Sequence, residues 1–179
     1  MLAADRLDPR IDYPNFPEFE RCGIDLGLVR AELILTLQHL RTCSGIPLTP
    51  SPVSGAWGRL EGSATSRHWA VGRLSDAGDI FPAKGRTLDC WLAAQGMGDI
   101  GGIGLYVDTR GPDGTPWPMM HIDLRPGRLL WTSERRDAQR VYYYHTYPDG
   151  HTYQAAQGPD FWRVVDRIIR GEWMAPRQG

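Results

Sequence analysis

Between Asp25 and about Arg41, Leu26, Val29, Leu33, Leu37 and Leu40 recur three or four positions apart, the stripe a helix lays on a core. Asp25 suits the N-cap of that helix, and Gly45 followed by Pro47 closes it. His39 lies beside the stripe and reads as a half-buried or exposed helix residue without a ligand role. Ile46-Pro47-Leu48 and Val53-Ser54-Gly55 read as short extended pieces around a Pro-rich bend, and Gly58 to Ser66 as a polar loop. Thr87 to Gln95 predicts a short helix with Leu88, Trp91 and Leu92 on one face, ended by Gly96. Gly101 to Val107 predicts a buried strand with glycines where another backbone comes close. A turn at Gly111-Pro112-Asp113-Gly114 leads to a strand over Met119 to Arg125, so the two strands form an antiparallel pair. Arg140 to Tyr147 and His151 to Gln154 flank Pro148-Asp149-Gly150, a hairpin signal. Phe161, Val164, Val165, Ile168 and Ile169 then form a helical face between Pro159 and Gly171.

These elements predict an α+β fold: a small, mostly antiparallel sheet with helices packed on one face and a C-terminal hairpin and helix. Residues 1–24, rich in Pro and Asp, read as an N-terminal extended arm anchored by Phe16-Pro17-Glu18-Phe19. Residues 25–135 form the core, and residues 136–179 a hairpin and helix packed on it, in a single domain overall. Hydrophobic residues make up 41% and charged residues 23%, ordinary for a soluble globular chain. The net charge of −1 supplies no electrostatic reason for nucleic acid or an anionic membrane as partner. Cys22, Cys43 and Cys90 are far apart and form no C-x-x-C pair, which argues against a disulfide framework. The N-terminus lacks an apolar signal segment and no run approaches a membrane span, so action outside the cytoplasm would require a route other than Sec.

Chemistry gathers in two stretches, Ser66-Arg67-His68 to Asp79-Ile80-Phe81-Pro82 and His121-Ile122-Asp123. His68, an acid at Asp79 or Asp76, and His121 offer two imidazoles and a carboxylate. A catalytic zinc uses such a set while keeping a fourth position for water. On a strand His121, Asp123 and Arg125 share one face. There His121 would bind metal, Asp123 would orient a ligand or take a proton from water, and Arg125 would meet a substrate carboxylate. A merely polar outer strand face is the alternative for an isolated H-x-D-x-R.

The order of motifs over roughly residues 16–131 resembles the M15 family of zinc D-Ala-D-Ala carboxypeptidases and peptidoglycan endopeptidases, particularly small phage and bacterial members. A Phe…Glu-Phe…Cys-Gly anchor is matched by Phe16 to Gly23, and Leu-x-x-Leu-Arg by Leu37 to Arg41. Gly45-Ile46-Pro47 and Val53-Ser54-Gly55-Ala56 follow in order. Ser66-Arg67-His68, Gly72 and Ala77-Gly78-Asp79-Ile80 come next, then Gly102-Ile103-Gly104-Leu105-Tyr106 and His121-Ile122-Asp123-Leu124-Arg125.

The resemblance implies that His68, Asp79 and His121 hold Zn2+ and that peptidoglycan stem peptides are the substrate. The family's His-to-Asp gap is shorter, which makes Asp76 a rival ligand; Asp79 is preferred because Ala77-x-Asp79-Ile80 reproduces the flanking motif. Many members carry an acid three residues before the last His, where this chain has Pro118. Asp123 is then the first candidate base and Asp113 the second. The family's substrate-gripping Arg is displaced by Ala56-Trp57, leaving Arg59, and more weakly Arg67, as substitutes. Pro118 also supports a different expectation, a catalytically impaired binding or structural module such as a phage particle component. A metallopeptidase that processes a protein is a third. His145 with His151 as a second metal pair lacks a third partner, and Arg135-Arg136 reads as a solvated charge pair.

Overall fold

The computed structural model describes residues 1–14, 24–137, 139–145 and 158–174. Its strands are β1 (Leu48–Pro50), β2 (Ala77–Pro82), β3 (Gly102–Tyr106), β4 (Met119–Asp123), β5 (Leu129–Arg136) and β6 (Gln139–Tyr144). They form one sheet in the order β1-β2-β4-β3-β5-β6, antiparallel throughout except for the parallel pair β3–β5. Three α-helices, α1 (Ala31–Ser44), α2 (Thr87–Gln95) and α3 (Gly158–Ile169), complete a small α+β fold. Among the described residues no helix is long and apolar enough to cross a membrane.

Side-chain alternation gives the sheet two unlike faces. One cross-strand row runs Ile80–Met120–Leu105–Thr132–Tyr143, and the next Gly78–Ile122–Ile103–Leu130. The apolar members of these rows join the buried faces of α1, α2 and α3 in one cluster with Trp57, whose ring lies over Gly78. The opposite face carries the row Asp79–His121–Gly104–Trp131–Tyr144. The connection from β4 to β5 passes across the start of β3. There a side chain on Gly101 would meet the Arg125 carbonyl at 1.8 Å, so only glycine fits.

Several elements differ from the sequence reading. Asp25 accepts a hydrogen bond from Gly27 N (3.0 Å) and caps a 3-10 turn at Leu26–Leu28, not α1. Val29 and Arg30 then run extended, bridging Ser75 and Ala3, so α1 starts six residues later than Asp25 and ends at Gly45, which adopts φ 65°. In α2 the buried face is Thr87, Cys90, Trp91 and Ala94, and Leu92 is exposed. Residues 1–14 form turns rather than an extended arm, with Ala4 N and Ala31 N bonded to Val29 O and Leu2 O and Tyr13 buried. Cys43 and Cys90 are free thiols. The Phe16-to-Gly23 anchor with Cys22, the turn at Pro148-Asp149-Gly150 and His151 lie outside the described residues.

Strand β5 escaped the pattern because its second half is polar. Thr132, Ser133 and Glu134 are nevertheless buried. Glu134 receives hydrogen bonds from Arg163 and Arg167 of α3, from Arg136 and from the Tyr143 hydroxyl. Asp160 and Asp108 pair with Arg163 and Arg167, so the three cations meet three carboxylates and fasten α3 to the sheet. Arg136 thus belongs to this network and is not simply solvated. Burial opposes the charge on Glu134, but the bonds from Arg163, Tyr143 and Arg136 prevail and lower its pKa from 4.5 to about 2. Its folded-state pKa is depressed, so its contribution to stability is complete above 4.5 and disappears as pH falls through about 2. Glu134→Gln should therefore lose roughly 2–3 kcal/mol at neutral pH, because the buried acceptor of three arginines and the Tyr143 hydroxyl loses its charge. Denaturant titrations of both proteins should show that gap closing progressively in acid.

Candidate metal centre

Strand register brings the predicted ligands together. Asp79 on β2 pairs directly with His121 on β4, so both side chains rise from the same face of adjacent strands. His68 arrives from the irregular segment between β1 and β2, which backbone hydrogen bonds hold in place. Arg59 N donates to His68 O (2.8 Å), Ala70 N to Arg59 O (2.9 Å) and Trp69 N to Ser66 O (3.1 Å). The Arg67–Asp76 ion pair (2.9 Å) and Ser75 Oγ donating to Arg67 O (3.2 Å) secure the far side of that loop.

Three donor atoms converge. His121 Nδ1 lies 2.9 Å from Asp79 Oδ1 and 3.0 Å from His68 Nε2, and His68 Nε2 lies 3.5 Å from Asp79 Oδ1. Tetrahedral coordination at zinc–ligand lengths of 2.0–2.1 Å would separate the ligands by roughly 3.3–3.4 Å. The triangle is within a few tenths of an ångström of that, and its donor set suits zinc. His68, Asp79 and His121 thus form a possible metal-binding triad. Asp76 does not belong to it: its carboxylate faces Arg67 and Arg30 instead.

The two imidazoles are supported differently. His121 presents its other nitrogen, Nε2, to Asp123 Oδ2 at 3.1 Å, and Asp123 is fully buried. An ionised Asp123 only accepts, so Nε2 carries the proton and, in the neutral ring, Nδ1 keeps its lone pair for a metal. Asp123 is held in turn by Arg125 through N, Nε and Nη2, and the Arg125 guanidinium lies over the Trp131 ring at 5.3 Å. For His68, Nδ1 is buried with no hydrogen-bond partner among the described residues. Burial works against a charged His121, but the bonds its ring donates to the Asp123 and Asp79 carboxylates outweigh it and raise its pKa to about 9. For Asp79 burial is likewise overcome, by the charge of His68 and the bonds from both rings, and its pKa falls well below the carboxylate range.

Two glycines make room for this layer. A side chain at Gly102 would strike the Asp123 carboxylate at 2.3 Å, and one at Gly104 would strike the Trp131 indole at 2.4 Å. The sequence reading assigned these glycines to close backbone contact, which holds at Gly101; at Gly102 and Gly104 the neighbours are site side chains.

An open cleft of about 360 Å³ lies over the triad. Arg59, Arg67 and Arg125 line it together with Tyr106, Met119, Trp131 and Tyr142. Asp79 is the cleft's one carboxylate among the described residues. Asp123 stays behind His121, and Asp113 is exposed, bound to Lys84 (2.7 Å) and Thr115. Pro118 ends the loop before β4 and offers no acid. Arg59 Nε is buried without a partner among the described residues, whereas Arg67 and Arg125 are tied to Asp76 and Asp123. Trp131 reads from the sequence as core or pocket wall and Tyr142 as part of a tyrosine run able to stack on sugars, and both line the cleft; the sequence assigns Tyr106 no role there. The two-residue spacing of Gly102, Gly104 and Tyr106 puts all three on one face of β3, and the pairing of Gly104 with His121 makes it the His121 face.

No protein-family model, curated protein or solved structure matches the chain. The carboxylate behind His121 makes its own test of the centre. If the triad holds a metal, Asp123→Ala should weaken its affinity for added zinc about 10–100-fold, and Asp113→Ala should leave that affinity unchanged, as read by competition with a chelating dye.

Proposed function

We propose that the chain is a zinc-dependent peptidase of the M15 type that hydrolyses peptide bonds in peptidoglycan stem peptides. The observation that carries this reading is the convergence of His68 Nε2, Asp79 Oδ1 and His121 Nδ1 at separations of 2.9–3.5 Å under an open cleft. When bound there, zinc supplies Lewis acidity, polarising a carbonyl and lowering the pKa of a coordinated water towards about 7. Asp123 is a positioning residue in this reading: it fixes the His121 tautomer and ring angle, and Arg125 keeps it ionised. Arg59 is the best placed of the three cleft arginines to bind a substrate carboxylate, because the other two already hold carboxylates. Arg125 closes the cleft beside it and adds positive potential. Stem peptides carry the carboxylates such a cleft attracts.

One feature favours a second reading. Asp79 is the only carboxylate lining the cleft among the described residues, and it is a metal-binding candidate, so no separate protein base faces a substrate. A metal-holding module without turnover, such as a phage particle component, fits that deficit. Incubating the zinc-loaded protein with muropeptides and with unfolded protein substrates separates the possibilities by their products. The peptidase reading expects muropeptide cleavage that disappears in His121→Ala. It also expects Arg59→Ala to raise KM about tenfold with a smaller change in kcat. A zinc-loaded but inert wild type would favour the module, and cleavage confined to proteins would redirect the substrate assignment.

A further inference from the structure

Tyr106 ends β3 between Met119 of β4 and Ser133 of β5, and it faces the same side of the sheet as His121. Its ring lines the cleft with His68, Asp79 and His121. Three contacts fix its orientation. Trp131 Nε1 donates to the Tyr106 hydroxyl at 3.2 Å, the Arg140 guanidinium lies over the ring at 5.2 Å, and Tyr142 meets it edge-on with centroids 6.2 Å apart. Trp131 reaches this position because Gly104 leaves space for its indole, which also packs against the His121 ring at 5.1 Å.

The indole N–H occupies a lone pair of the phenol oxygen and leaves the phenol's own proton to be given elsewhere. Among the described residues no acceptor takes it, since the bond from Trp131 is the one hydrogen bond of that hydroxyl. Burial, and after it the charge of Asp79, keep the phenol protonated far above neutral pH. The cleft lined by the three converging ligand residues is therefore also lined by a neutral donor, held by Trp131, whose proton is unassigned.

We propose that Tyr106 is a catalytic hydrogen-bond donor that engages the scissile carbonyl oxygen as that oxygen becomes an oxyanion. This assignment rests on the peptidase reading. Hydroxide, formed as a water releases its proton to solvent in the open cleft, adds to the carbonyl carbon; the carbonyl π electrons move to oxygen, and Tyr106 O–H shares its own proton with that oxygen without surrendering it. No bond to Tyr106 forms or breaks. A donor already oriented by Trp131 needs no reorganisation as charge develops, and this is where such donors act most strongly. The aromatic cluster thereby supplies electrophilic assistance in a cleft whose carboxylate is a metal-binding candidate.

Tyr106→Phe removes the hydroxyl and keeps the ring and its packing. With a peptide ending in D-Ala-D-Ala, kcat should fall about a hundredfold while KM and zinc content stay as in the wild type. A phosphinate isostere of D-Ala-D-Ala, which mimics the tetrahedral oxyanion, should lose affinity by the same factor by calorimetry. Affinity for free D-Ala-D-Ala on zinc-free protein should not change. An active wild type whose Tyr106→Phe variant keeps its kcat, or binds the phosphinate equally well, overturns this assignment alone. Zinc loss in the variant also overturns it, since the hydroxyl would then be supporting the triad. A wild type inert toward the peptide overturns the peptidase reading and this assignment with it.

Discussion

The register of β2 on β4, and of β4 on β3, is the constraint on which the rest of the molecule depends. The same pairing that sets Asp79 opposite His121 sets Ile80 opposite Met120 and Gly78 opposite Ile122. A slip of one residue would turn the aliphatic row to the cleft and the carboxylate to the helices. Each fully buried aliphatic side chain contributes about 1.5–3 kcal/mol, so packing against α1 and α2 holds the polar row in register. Hydrophobic burial on one face thereby fixes donor separations on the other.

The polar face is built in depth. Behind His121 stands Asp123, behind Asp123 stands Arg125, and Trp131 closes the layer by packing against both His121 and Arg125. Each buried charge has an opposite charge within hydrogen-bond distance, and so a carboxylate with no exposure is tolerated. Gly102 and Gly104 are part of the same design, because the volume a side chain would fill is taken by the Asp123 carboxylate and the Trp131 indole. The strand interior accepts two residues of poor β propensity so that the next layer can sit close.

Much of this was legible in the sequence where alternation or spacing was strict. The Thr87–Gln95 helix, the β3–β4 pair and, in α3, the buried face of Phe161, Val164, Val165 and Ile168 follow directly from periodicity, whereas Ile169, read onto the same face, is exposed. His68, Asp79 and His121 are far apart in number and became a site through motif order, not through any local spacing. What stayed hidden has identifiable causes. Strand β5 was masked by Thr132, Ser133 and Glu134, whose burial depends on partners from α3 and β6 that no local pattern announces. The start of α1 moved because Val29 and Arg30 are recruited into bridges with distant chain, which overrides helical periodicity. Gap length points to Asp76 and the flanking motif to Asp79; pairing of β2 with β4 and capture of Asp76 by Arg67 distinguish them. Whether Asp123 would serve as orienter or base depended on which side of the imidazole it occupies, a matter of three dimensions.

The chain's central physical claim is that His68, Asp79 and His121 grip a single divalent ion. Metal analysis of protein purified without added zinc, carried out in parallel on Asp79→Ala and Asp76→Ala, tests it most directly. About one zinc per chain is expected in the wild type and in Asp76→Ala, with little in Asp79→Ala. Equal retention in the two variants, or no metal in the wild type after zinc is supplied, would contradict it.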